Sequence, residues 1–176
     1  MLAWMQKWTD SPAKARQRCL RLLGAAGLPY VRDVVIPDEV GGYTQIDHLL
    51  LTAQGLVVLE WRYLRGVVHG SDYAQEWTRF EGSERHDFAN PLRHLQTMGD
   101  TLGTMISGGK GTVPLRTFLL VSGPVSFARA QPQGVISEEG LSAWLDAQSS
   151  VIPARHQLLW GALLGRVACE PVVSLV

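Results

Sequence analysis

The sequence predicts an α/β protein, an α+β sandwich in which a mixed central β-sheet is flanked by helices. Three observations predict it. Two segments repeat apolar residues at helical spacing: Ala15, Cys19, Leu22, Leu23 and Ala26, then Leu92, Leu95, Met98, Leu102 and Met105. Between them, two almost continuous apolar runs at residues 45–51 and 55–62 flank a Gly-containing turn, as expected of strands covered on both faces. The resulting order of helix, strands, helix, strand, short strand and helix mixes the two element types along the chain.

The chain has 176 residues, 46% of them hydrophobic and 18% charged, which suits one compact globular domain and not a disordered one. Within it the sequence divides into a basic, amphipathic segment at 1–30, a core at 31–147, and a C-terminal helix with an apolar tail at 148–176. The formal net charge is +0, so any surface for a polyanion must be local. Cys19 and Cys169 lie far apart and offer neither a disulfide framework nor zinc-ligand spacing. No stretch approaches the roughly 18 apolar residues of a membrane span. Residues 1–8 lack the apolar core and cleavage site of a signal peptide. A cytoplasmic location is the expectation.

The elements follow in order. Residues 1–10 carry Leu2, Trp4, Met5 and Trp8, a short amphipathic arm that packs on its own domain or meets a partner. Asp10 or Ser11 caps the first helix, and Pro12 takes its first position. Its polar side shows Lys14, Arg16, Arg18 and Arg21. This is either a solvated face or a stripe that contacts phosphates, with Lys14, Arg18 and Arg21 as candidates. Residues 31–36 form a strand, and a turn through Asp38 and Glu39 leads to Gly42. After the hairpin, 66–70 extend as a strand. A loop follows with Asp72, Glu76, Glu81, Glu84 and Asp87, and Trp77 packs on the sheet. Asn90 caps a helix that Pro91 opens. The loop Gly108-Gly109-Lys110-Gly111 lacks the order of a phosphate-binding P-loop. Residues 113–121 form a strand and 134–136 a short one. Ser137 caps a helix with Glu138 and Glu139 in its first turn. Pro153 opens a last helix running past Leu163 to Val167, and the tail from Pro171 is apolar. That tail packs as an edge strand or joins a partner, including a second copy of the chain.

The candidate chemistry sits in the hairpin. Asp47 opens its first run, and Glu60 and Arg62 close the second. Glu60 and Arg62 are two apart and share a face. Asp47 joins that face only if the connection holds an even number of residues; a three-residue loop would send it to the other side unless a bulge corrects the register. Two carboxylates brought together repel unless a counter-charge intervenes. Mg²⁺ answers this need, since it binds one or two carboxylates with waters and a phosphate. Arg62 bridging both acids as a structural pair answers it equally well. His48, beside Asp47, is a ligand, a base or a satisfied core histidine.

The residues Ile46-Asp47-His48, then Leu59-Glu60-Trp61-Arg62 with Glu60 thirteen positions after Asp47, then Tyr63 and Gly66 resemble the nuclease-related domain (NERD) family. The lead Gly41-Gly42-Tyr43, the downstream Trp77 and the helix-opening Asn90-Pro91 extend the likeness over roughly residues 38–106. Element order continues it to about 147. The family is assigned to the PD-(D/E)xK, restriction-endonuclease-like fold. The resemblance therefore implies a Mg²⁺- or Mn²⁺-dependent nuclease acting on DNA, with Asp47 and Glu60 as metal ligands and Asp47, Glu60 and Arg62 as the catalytic set. Two departures stand out. Arg62 replaces the family's Lys; it can clamp a phosphate but stays charged and cannot serve as a base. The first helix carries no internal acid where many such folds have Glu, and Glu39 is the candidate to supply it. His94, at a position where the family often has Gln, and Gln96 are accessory candidates. The alternative is a catalytically inactive DNA-binding or protein-assembly module on the same scaffold.

Overall fold

The computed structural model describes residues 11–37, 41–107, 113–148 and 151–171. The expectations for the arm at 1–10, for Glu39, for the loop at 108–111 and for the tail from 172 fall outside these residues.

Burial of the hairpin organises the molecule. Strands β1 (Tyr30–Pro37), β2 (Tyr43–Thr52) and β3 (Gly55–Tyr63) form an antiparallel ribbon. Strands β7 (Leu115–Ser122) and β9 (Val135–Ser137) add in parallel, and β10 (Ala168–Pro171) closes the far edge against β1. The order is β10-β1-β2-β3-β7-β9, so the two apolar runs occupy the centre. Leu49, Leu50, Leu51, Leu56, Val57, Val58 and Leu59 are all fully buried. Each such side chain stabilises the fold by roughly 1.5–3 kcal/mol relative to exposure.

Alternation along these strands feeds two cores. Leu50, Val57, Leu59 and Leu120 meet Cys19 and Leu23 of α1 (Pro12–Ala25) and Leu141 and Leu145 of α3 (Glu138–Asp146). Leu49, Leu51, Leu56, Val58 and Leu119 meet Leu95, Met98 and Leu102 of α2 (Pro91–Ser107) and Leu163 of α4 (Ala154–Leu164). The mixed sheet between helical layers is the predicted architecture.

The local signals explain the helix ends. Ser11 Oγ accepts the Lys14 N–H at 3.3 Å with Pro12 in the first turn, and Ser137 Oγ accepts the Gly140 N–H at 3.2 Å. Asn90 Oδ1 accepts the Leu92 N–H at 2.9 Å, while Asn90 Nδ2 gathers the carbonyls of Ser71, Asp72 and Ala74. One buried amide thus starts α2 and holds the preceding loop. The last helix stops at Leu164 with Gly165 as its cap, so Val167 lies beyond it.

A second sheet was hidden in the sequence. Residues read as an acidic loop form the hairpin β5 (Glu76–Glu81) and β6 (Glu84–Ala89), turning at Gly82. With β4 (Gly66–His69) and β8 (Val125–Phe127) they make the sheet β6-β5-β4-β8. The hairpin is mostly solvated and buries only one side chain fully, so charged residues mask its alternation. That side chain is Trp77, whose ring meets Phe88 and Phe127 edge-on at 6.2 and 6.0 Å.

Candidate active site

The turn decides where the acids go. Thr52 pairs with Gly55, so the connection is the two residues Ala53 and Gln54. Thr52 Oγ1 ties it, donating to the Gly55 carbonyl at 2.9 Å and accepting the Gln54 N–H at 3.2 Å. Gly55 is required by geometry: its φ is +125°, and a Cβ there would lie 2.0 Å from the Pro114 carbonyl oxygen. The even connection carries the register to His48↔Leu59. The register stops there, one residue short of Asp47 and Glu60, and alternation is interrupted at Asp47, because Ile46 lies in the core beneath α2 while His48 faces α1.

The β2–β3 ladder ends at that point, and a carboxylate takes its place. Asp47 Oδ2 accepts the backbone N–H of Trp61 at 3.0 Å. Glu60 is 5% exposed, on the face of Leu56 and Val58 beneath α2. Its Oε1 accepts from the Arg62 guanidinium, which is itself 56% exposed. Its Oε2 is buried with no hydrogen-bond partner. An orphaned, buried carboxylate oxygen, with a second carboxylate on the neighbouring strand, suits a hard divalent cation, which takes oxygen ligands and completes its shell with waters. Asp47 and Glu60 are the residues that could hold it; among the described residues, no group of three or more His, Cys, Asp or Glu side chains gathers around one point.

His48 is not with the acids. It pairs with Leu59 and faces the α1 side of the sheet, where Nδ1 shares a hydrogen bond with Tyr30 Oη at 2.8 Å. Its Nε2 is buried without a partner. Burial lowers its pKa from 6.5 to about 4, against the opposing pull of Asp47. Burial likewise pushes the Tyr30 phenol up. This is a neutral core dyad behind the sheet.

The basic stripe of α1 is also on that side. Arg18 forms an ion pair with Glu138 at 2.5 Å, while Lys14 and Arg21 are exposed. Behind α1, Ser122 Oγ accepts the Trp61 indole N–H at 3.0 Å and touches Cys19 Sγ at 3.4 Å. His94 and Gln96 flank buried Leu95 and are exposed on α2.

One neighbour of the acids escaped the sequence reading. Asp33 sits between Arg32↔His48 and Val34↔Ile46, across β1 from Asp47, at a φ of +51°. It makes the bulge that shifts β1 against β10. Gln45 Nε2 donates to it at 3.3 Å, and Arg16 and Arg32 lie 3.9 and 3.8 Å away. The available signal was an acid interrupting the run Val31-Arg32-Asp33-Val34-Val35.

An uncharacterized protein of Bacillus anthracis is 30% identical over 87 residues, covering 49% of this chain and 41% of its own length. The chain thus spans about two fifths of that relative. No solved structure matches significantly. The family model of the nuclease-related domain matches residues 11–122, from the start of α1 to the end of β7. That match takes in the hairpin, both acids and well over half of the sequence, and the chain belongs to the nuclease-related domain family.

Proposed function

We propose that the protein is a divalent-metal-dependent phosphodiesterase acting on DNA, with Asp47 and Glu60 as metal ligands and Arg62 as the phosphate clamp. The observation that carries this reading is Glu60 Oε2, buried and unpartnered at the end of a central strand, next to the strand that bears Asp47. Mg²⁺ or Mn²⁺ there would polarise a phosphoryl oxygen and lower the pKa of a bound water. The chain's own part is positional. The Trp61 N–H holds Asp47 by one oxygen and leaves the other for a ligand. Arg62 neutralises Glu60 in the free protein. With its guanidinium half exposed, Arg62 can turn to a scissile phosphate and bind it through two N–H groups. Lys14 and Arg21 would add salt-dependent contacts to flanking phosphates from α1.

The test is nicking of supercoiled plasmid with Mg²⁺ or Mn²⁺. Cleavage should vanish in EDTA, in Asp47→Ala and in Glu60→Ala. Cleavage that persists in both variants, or its absence under every metal condition, would discard the reading.

A second reading has one specific observation in its favour. The Arg62–Glu60 pair satisfies one ligand oxygen without any metal, and arginine cannot take a proton from water. A DNA-binding or assembly module without hydrolysis would retain such a pair. Plasmid retardation that survives Asp47→Ala and Glu60→Ala without cleavage would establish it.

A further inference from the structure

Glu60 is walled by apolar side chains and meets one cation. On its face of the sheet the preceding residue of β3 is Val58, and the β7 residues alongside are Leu119 and Val121, all three buried. The next residue of that face towards the strand end is Arg62, whose guanidinium donates to Glu60 Oε1 and is 56% exposed. The other oxygen, Oε2, is buried and unpartnered. One carboxylate is thus half answered by the chain's own cation and half open. A divalent cation on Oε2 would share that carboxylate with the guanidinium, and two positive charges at such short range repel. Val58, Leu119 and Val121 offer no counter-charge.

We propose that Arg62 is a gate: in the free protein it holds Glu60 against a divalent cation, and a nucleic-acid phosphate that draws Arg62 away admits the cation. The proposal rests on the nuclease reading for the identity of both ligands. A phosphate offers the guanidinium the same charge-assisted hydrogen bonds that the carboxylate does. Half of the guanidinium is already in water, so the move uncovers little new surface. It leaves Glu60 as a buried, unpaired charge, which is a costly state. A hard divalent cation relieves it. Cation and phosphate therefore bind cooperatively, and each tightens the other by the same factor. Either ligand alone is held weakly, so the loaded site assembles on the substrate and not before it.

The experiment follows free Mn²⁺ by electron paramagnetic resonance as it binds the whole protein, alone and with a saturating decamer DNA duplex. Phosphorothioate linkages keep the duplex uncut, which electrophoresis checks. The duplex should tighten Mn²⁺ binding by wild type about 5- to 150-fold, the usual range of coupling between two sites. Arg62→Gln should bind Mn²⁺ more tightly than wild type without duplex, and equally with it. Glu60→Gln should lose the site in both conditions. Four results would overturn the gate: no effect of duplex on wild type, Mn²⁺ binding that survives Glu60→Gln, no Mn²⁺ binding by any of the proteins, or a gain in Arg62→Gln of the same size in both conditions. The last would mean plain charge repulsion. The plasmid assay is scored separately. Cleavage that needs Asp47 and Glu60, without duplex-dependent Mn²⁺ binding, retains the catalytic assignment and removes the gate. Duplex-dependent Mn²⁺ binding without cleavage retains the gate and removes catalysis.

Discussion

Acid should weaken this protein in part through His48. The imidazole is 1% exposed and its pKa falls from 6.5 to about 4, with desolvation as the largest cause. A histidine depressed in the folded state contributes stability that is complete above pH 6.5 and is lost as pH falls towards 4, because the unfolded chain binds the proton first. At about 1.36 kcal/mol for each unit of pKa difference, the loss is roughly 2 kcal/mol by pH 5 and roughly 3 kcal/mol by pH 4. Other groups titrate in this range too, so the quantity to measure is a difference. Urea unfolding of wild type and His48→Asn would be followed from pH 8 to pH 4 in EDTA. Asparagine keeps a polar atom for Tyr30 Oη and cannot take up the proton. Wild type should lose about 2 kcal/mol more than the variant between pH 7 and pH 5, or roughly 4–8 °C in midpoint at about 2–4 °C per kcal/mol. Parallel profiles would refute the claim that the His48 pocket excludes the charged ring.

Four other outcomes are expected. Arg62→Ala leaves the Glu60 carboxylate uncompensated; half exposure of the arginine discounts the effect to about 1–2 kcal/mol of urea stability, and added Mg²⁺ should restore more stability in this variant than in wild type. Arg62→Lys should raise metal-dependent cleavage, measured as plasmid nicking rate, since the compact ammonium of lysine can position a water where the planar guanidinium clamps a phosphate. Gly55→Ala forces a Cβ against the Pro114 carbonyl at positive φ and should destabilise by about 1–3 kcal/mol in chemical denaturation. Native protein titrated with a disulfide thiol reagent should release one equivalent promptly and two only in denaturant, because burial raises the pKa of the Cys19 thiol while Cys169 is partly exposed.

Much of the fold was legible because its signals are local. Ser11-Pro12, Asn90-Pro91 and Ser137 mark helix starts whatever surrounds them, since a cap bonds to the next turn of its own helix. The continuous apolar runs announced central strands because only a doubly covered strand tolerates apolar residues at both parities. Other features were not legible. The β5–β6 hairpin has charged residues at half of its strand positions, and its one buried anchor, Trp77, gains its meaning from Phe88 and Phe127 on two other strands. His48 read as a neighbour of Asp47, yet its role is set by Tyr30, eighteen residues away. The basic stripe on α1 read as four equivalent cations; Glu138 claims Arg18, and Asp33 lies 3.9 Å from Arg16.

The sequence alone determined which residues are candidates: an Asp and a Glu thirteen apart on two apolar strands, an arginine two places on, and a choice of face hanging on the number of residues in one turn. Tertiary structure set that number at two. Thr52 pairing with Gly55 set the parity, the end of the ladder gave Asp47 a backbone N–H to hold, and the cover over β3 buried Glu60 with one oxygen unanswered. The reason is physical. Strand periodicity is a property of the chain, whereas desolvation and the presence of a hydrogen-bond partner belong to whatever packs against it.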